Sequence, residues 1–245
     1  MAATTKKGSP GGGHGKMRPM VRPRALRRGG KGLGKRLAKC NVAWADGGSM
    51  RIFGVILAGG GGRRMGGQDK AMVMLGGQSL LAHVQARLAP QVEQIAISAN
   101  GDAGRFGASL VVLADESSQG PLSGILAGLD WAAPLGASAV VSAAVDTPFF
   151  PADLVPQLCL AAQGSAGGVA LACSDGVDHP TFALWPIGLR ADLRRFLASG
   201  AKPRVTDFAR SQNAARADFY DSRAFVNVNT PDDLANAKAM LEAGR

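Results

Sequence analysis

Three cations stand within eight residues of one another around a run of glycine: Leu57-Ala58-Gly59-Gly60-Gly61-Gly62-Arg63-Arg64-Met65-Gly66, closed by Lys70. Glycines without Cβ atoms let backbone N–H groups crowd around an anion. Arg63, Arg64 and Lys70 add positive charge. The chemistry implied is phosphate binding, and the ligand implied is a nucleotide. A merely flexible turn would have no use for the cations. The P-loop pattern is excluded, because Lys70 is followed by Ala71 and not by Ser or Thr. The dinucleotide fingerprint is excluded as well. It requires an acid about 20 residues beyond its glycines, and Asp69 lies too close.

Carboxylates and amides at later positions complete a candidate site. Asp146 follows the apolar run Ala139–Val145, where an unpaired carboxylate would be costly. It reads as a metal ligand or as a turn aspartate before the next helix. Asp115 follows a shorter apolar run, Leu110–Ala114. Asn227 and Asn229 alternate along an extended segment and place both amides on one side, where they offer donors and acceptors together. His179 precedes Pro180, as a turn residue or a substrate contact. Cys40, Cys159 and Cys173 have no metal-ligand spacing and fit a reducing, cytoplasmic compartment.

The elements that must position these residues alternate. Strands are expected at Ile52–Leu57, Gln94–Ala99, Leu110–Ala114, Ala139–Val145, Val169–Cys173 and Thr181–Trp185. Helices are expected at Ser79–Ala89, Gly124–Ala132, Asp153–Ala162, Leu189–Ala198 and Asp232–Glu242, the last capped by Thr230. Such alternation predicts an α/β fold, a mostly parallel sheet with helices on both faces. Ligands of such sheets sit outside the carboxyl ends of the strands, so the glycine loop and Asp146 are expected on one rim.

Charge divides the 245 residues unevenly. Residues 1–50 hold 12 Lys or Arg and one acid, Asp46, for a net charge of +11, whereas the remainder holds 16 basic and 17 acidic residues. The first 49 residues, rich in Gly, Pro, Lys and Arg, are expected to be a disordered tail or a non-native extension ahead of Met50. Residues 50–245 are expected to form one folded domain. Only Trp44 interrupts the tail's basic stretch with an aromatic ring, so nucleic-acid binding has little support. No apolar run reaches the length of a membrane span.

The pattern Leu-Ala-Gly-Gly-x-x-x-Arg-Met-Gly with a following lysine resembles the entrance loop of nucleotidyltransferases that make nucleotide-activated cofactors. With Gly120-Pro121-Leu122-Ser123-Gly124, Val145-Asp146-Thr147-Pro148, Asp178-His179-Pro180-Thr181 and Asn227-Val228-Asn229-Thr230-Pro231, it is similar to the molybdenum cofactor guanylyltransferases, the MobA family. The likeness runs from about Phe53 to the C-terminus. It implies a three-layer Rossmann-like nucleotidyltransferase fold and a Mg²⁺-dependent transfer of GMP from GTP to Mo-molybdopterin, with release of pyrophosphate. Transient contacts with molybdenum-insertion and molybdoenzyme chaperone proteins are also implied. On this likeness Lys70, Asp146 and Arg64 carry catalysis, and Asp146 holds Mg²⁺. Leu57, Ala58 and Gly59 meet base and ribose through the backbone, Gly60 belongs with them to the binding loop, Lys70 pairs with the triphosphate, and Asp115 belongs to the guanine nucleotide site. Arg64, Gly67, Gly120, Asn227 and Asn229 lie toward the pterin. The family often shows Asn-x-Asn where this chain has Ser98-Ala99-Asn100, so either Ser98 or Asn100 is left to contact the nucleotide. Cytidylyl transfer on the same fold and a non-catalytic nucleotide-binding module are the competing readings. The related cytidylyltransferases tend to show Leu-Ala-Ala-Gly at the entrance loop.

Overall fold

The structure, a computed structural model, describes Met1 and residues 50–59, 69–107, 110–114, 119–199 and 204–243. Chain contacts divide the protein into two units, Met1–Lys35 and Arg36–Arg245, and every described strand and helix belongs to the second. The expected tail before Met50 lies outside the described residues, Met1 aside. So do the site residues Gly60, Arg64, Gly67 and Asp115, along with Arg63.

Ile52–Leu57 forms β1, buried at every position. Its residues serve two cores. Ile52 and Ile56 face one, whereas Phe53, Val55 and Leu57 face the other. A strand covered on both faces reads as a continuous apolar run, which is why no alternation marks it. Beyond the glycine loop come a short hairpin, β2 (Met74–Leu75) and β3 (Gln78–Ser79), and helix α1 (Leu80–Leu88). Ser79 caps α1 through its hydroxyl, which accepts from the Ala82 N–H at 3.1 Å. Strands β4 (Ile95–Ser98) and β5 (Val111–Leu113), helix α2 (Pro121–Ala132), strand β6 (Ala139–Ala144) and helix α3 (Leu154–Ala162) follow. The chain ends with β7 (Ala170–Ser174), β8 (Val177–Pro186), α4 (Arg190–Ala198), α5 (Val205–Ser211), β9 (Ala215–Phe219) and α6 (Pro231–Ala243).

Seven strands make one sheet in the order β5-β4-β1-β6-β8-β7-β9, and β8 alone runs antiparallel to both its neighbours. The expected mostly parallel sheet with helices on both faces is therefore present. α1 and α3 cover one face, and α2, α4 and α5 cover the other. β2, β3, α5 and β9 have no counterpart among the expected elements. The hairpin strands are two residues each, and β9 alternates exposed Arg216 and Asp218 with buried Ala217 and Phe219 at an edge of the sheet. α2 begins three residues before its expected start, with Pro121 at its first position behind Gly120 at φ +83°. No described helix is long and apolar enough to cross a membrane.

A third, small core holds Val73, Leu75, Leu80, Val228 and Ala237. It packs the chain just beyond Lys70 against the Asn227–Asn229 segment and α6. This packing, between parts of the chain about 150 residues apart, determines what Lys70 can touch.

Candidate functional site

β1 and β6 are hydrogen-bonded neighbours in register, with Leu57 opposite Ala144. Their carboxyl ends therefore deliver Leu57–Gly59, where the glycine loop begins, and Asp146 to one rim, as a parallel sheet requires. The Leu57 carbonyl accepts from the Val145 N–H at 3.1 Å, and the Ala58 N–H donates to the Ser98 carbonyl at 2.9 Å. Those two backbone groups are committed to the sheet. The Leu57 side chain is buried, and Gly59 is the first exposed residue of the loop.

Lys70 opens a single 3-10 turn, and Asp69 caps it by accepting from the Ala71 N–H at 3.0 Å. The other Asp69 oxygen takes the Arg105 guanidinium at 2.5 Å. Arg105 also donates to the carbonyls of Asn100, at 2.7 Å, and of Asp102. One planar fork thus ties the exit of the glycine loop to the turn after β4. Nothing in the sequence marks Arg105 for this, since its partner lies 36 residues away. Asp69 could have been read as a cap from its place before a short turn.

Lys70 and Asp146 meet. The ammonium lies 3.2 Å from Asp146 Oδ2, with both side chains about four-fifths buried. Lys70 Nζ also donates to Asn229 Oδ1. An ammonium has only donors, so Asn229 must turn its oxygen toward it, which leaves the NH₂ group for another partner. Thr147 Oγ1 lies 2.5 Å from Asn227 Oδ1 and 3.3 Å from Asp146 Oδ1. The Val228 N–H donates to the Asp146 carbonyl at 2.7 Å. Lys70, Asp146, Thr147, Asn227 and Asn229 therefore form one polar network built from three separate parts of the chain. Asn227 and Asn229 do share a side, as their alternation predicts. Thr147, buried beneath them, is a member that no sequence pattern singles out.

Asp233 holds the last of these segments. Its Oδ2 accepts from the N–H groups of both Asn229 and Thr230 at 2.9 Å, and its own N–H donates to Thr230 Oγ1 at 3.1 Å. This is a reciprocal cap at the spacing of a capping box, with Asp in place of Glu. The Asn229 N–H, with the other bonds after it, holds the Asp233 carboxyl below its ordinary value.

Ser98 and Asn100 part company. Ser98 is 2% exposed and lies beneath Gly124 of α2, where a Cβ would come within 2.6 Å of its hydroxyl oxygen. Asn100 is exposed at the rim. Gly120 is exposed there too, just before the N-terminus of α2. His179 stacks on Phe225 with ring centroids 4.2 Å apart, and its Nε2 lies 2.6 Å from Ser174 Oγ. Burial pushes the imidazole below its ordinary value, against the opposing pull of Asp178.

Among the described residues no group of three or more His, Cys, Asp or Glu could cage an ion. Asp146, on the rim, could supply one carboxylate oxygen to an ion such as Mg²⁺ that takes its other ligands from phosphate and water.

Comparison with known proteins agrees with the geometry. Residues 54–215 match the MobA-like NTP transferase domain. A molybdenum cofactor guanylyltransferase of Cereibacter sphaeroides is 56% identical over 193 residues, which cover 78% of this chain and 98% of that protein. One from Mesorhizobium japonicum is 47% identical, covering 78% of this chain and 97% of that protein. Among solved structures, molybdopterin-guanine dinucleotide biosynthesis protein A of Archaeoglobus fulgidus superposes with a TM-score of 0.64 at 23% identity, covering 78% of this chain and 99% of that one. The synthase of 4-diphosphocytidyl-2C-methyl-D-erythritol from Anaerococcus prevotii gives 0.62 at 14% identity, over 79% of this chain and 96% of that one, and shares the fold. By domain match and by close relatives spanned almost end to end, the chain is a nucleotidyltransferase that belongs to the molybdenum cofactor guanylyltransferases of the MobA family.

Proposed function

We propose that this protein transfers GMP from GTP to the terminal phosphate of Mo-molybdopterin, forming the guanine dinucleotide cofactor and releasing pyrophosphate. The observation that carries the reading is the meeting of Lys70 and Asp146 at the carboxyl ends of β1 and β6, in a chain whose close relatives are named guanylyltransferases. A phosphate oxygen of the acceptor attacks the α-phosphorus of GTP, and the bond from that phosphorus to the bridging oxygen of the β-phosphate breaks. Both partners are anions, so the barrier is charge, and the protein's part is to position and neutralise.

Asp146 would hold Mg²⁺, which supplies charge neutralisation at the transferred phosphate. With the carboxylate so engaged, the Lys70 ammonium is freed toward the triphosphate and keeps Asn229 as its partner. The exposed Asn100 faces the nucleotide, and the buried Ser98 supports α2. Asn229 meets the acceptor substrate with its NH₂ group, as a donor. No general base is called for, because a phosphate monoester is already ionised at neutral pH, so His179 is left out of proton transfer. Arg64, Gly60, Gly67 and Asp115 keep the roles that the family likeness implies. The reading places the enzyme in the cytoplasm, in keeping with the buried, reduced thiols of Cys159 and Cys173. There it would make transient contacts with molybdenum-insertion and molybdoenzyme chaperone proteins.

The test is to incubate the full chain with Mg²⁺, Mo-molybdopterin and GTP, CTP or ATP in parallel. Pyrophosphate and the nucleotide joined to the pterin are measured, with Asp146→Asn alongside. Product with GTP is expected, reduced about a hundredfold or more by the substitution. Product with CTP alone would overturn the base assignment. Tight GTP binding without product would favour a binding module.

A further inference from the structure

We propose that Asp233 is a positioning residue for Lys70, acting through Asn229. The inference rests on the functional reading above and extends it to a residue without contact to either substrate. Lysine is a point charge on four flexible carbons, and its catalytic use depends on what fixes its end. Among the described residues Lys70 has two partners, Asp146 and Asn229. If Asp146 takes the metal, Asn229 is the described partner left to hold the ammonium.

Asn229 sits in a segment without ladder hydrogen bonds, between the 3-10 turn Ser222–Phe225 and α6. Its place is set at three points. Val228 is fully buried in the small core beside Val73 and Leu75, and its N–H is bonded to the Asp146 carbonyl. Asp233 then takes the next two N–H groups on one oxygen. Loss of that oxygen frees two adjacent peptide groups next to the amide that holds Lys70. Asp232, its neighbour in the first turn of α6, shows none of these bonds. The Asn229 N–H is the main cause of the depressed Asp233 carboxyl, with Lys70 the smallest, in keeping with the hydrogen bonds that fix this segment.

The experiment reads GTP affinity by titration calorimetry, with Mg²⁺ and no acceptor, on the full chain. Asp233→Ala and Asn229→Ala should each weaken binding about three- to tenfold, in line with the loss of one or two hydrogen bonds. Asp233→Asn should restore most of the affinity, because the amide keeps the one oxygen that both N–H groups use. In a Lys70→Met background neither alanine change should weaken binding further, since coupled residues do not add. Asp232→Ala removes the neighbouring carboxylate, which favours the same helix end. It should lower the thermal midpoint while leaving GTP affinity unchanged, which separates positioning from helix stability. The inference is overturned if Asp233→Ala weakens binding equally without Lys70, if Asp233→Asn is as poor as Asp233→Ala, or if Asp232→Ala weakens binding as much. A wild type that binds neither GTP nor CTP overturns the functional reading and the inference together. Binding by the wild type with no change in the variants overturns the inference alone.

Discussion

At the residue scale the described network around Lys70 pairs one ammonium with two acceptors from distant parts of the chain. Lys70 faces a carboxylate and an amide oxygen, both of which accept. Lys70→Met removes the charge with little change in side-chain volume. It should weaken GTP binding at least tenfold while moving the thermal midpoint by only a few degrees, as calorimetry and a melting curve would show. His179 makes a prediction of the opposite kind, about stability and not ligand. Its folded imidazole titrates below the ordinary 6.5, because burial disfavours the cation. Below pH 6.5 the unfolded chain therefore takes up a proton that the folded chain resists. Stability is full above 6.5 and falls as pH drops through the folded value. Urea midpoints measured across that window should decline in the wild type and stay flatter in His179→Gln. Asp233 adds a separate loss at lower pH. Its depressed carboxyl contributes stability that is present above its ordinary 3.8 and disappears as pH falls through the folded value.

At the scale of elements, legibility followed burial. β1 and β6 were readable because a strand covered on both faces must be apolar throughout, and the same covering places Asp146 on the rim beside the glycine loop. β9 was unreadable because an edge strand can carry Arg216 and Asp218. The hairpin β2–β3 was too short to show a period. In the site, Lys70, Asp146, Asn227 and Asn229 could be named in advance, since each sits in a motif of local sequence. Their mutual contacts could not, because a core joining Val73 to Val228 has no local signature. Arg105 was invisible for the same reason. α2 shows what close approach asks of sequence. Gly124 lies against Ser98 and Leu57, at the carboxyl ends of β4 and β1, and an added Cβ would stand 2.6 Å from Ser98 Oγ and 2.9 Å from Leu57 Cδ2. Gly124→Ala must therefore push α2 outward or distort Leu57. We expect a loss of about 1–3 kcal/mol of stability, read as a lower urea midpoint, together with weaker nucleotide binding as the rim beside Asn100 shifts. A gain in stability, as an exposed helical Gly→Ala would give, would show that α2 does not approach so closely.

Across the whole molecule the imbalance of charge is the dominant fact. The chain carries +10 overall, yet residues 51–245 carry −1, so the sequence pI of about 10.2 describes the first 50 residues and not the catalytic unit. The MobA-like match begins at residue 54, and the Cereibacter sphaeroides relative is spanned over 98% of its length by 78% of this chain, so about a fifth of the chain has no counterpart in it. The polar network proposed as the site draws on Lys70, Asp146, Thr147, Asn227, Asn229 and Asp233, all beyond that point. Removal of residues 1–49 should therefore leave GTP affinity within about twofold and the melting midpoint within a few degrees, because the described network contacts all join residues beyond position 50. It should abolish retention on a polyanion column at low ionic strength, where roughly eleven positive charges act together and are screened as salt rises. Parallel measurement of nucleotide affinity and of salt-dependent heparin elution for the full chain and for residues 50–245 separates the two properties. A shortened chain that melts normally but no longer binds GTP would give the basic segment a part in catalysis. One that still elutes late from heparin would move the polyanion-binding charge into the nucleotidyltransferase unit, where Arg63 and Arg64 would be its natural source.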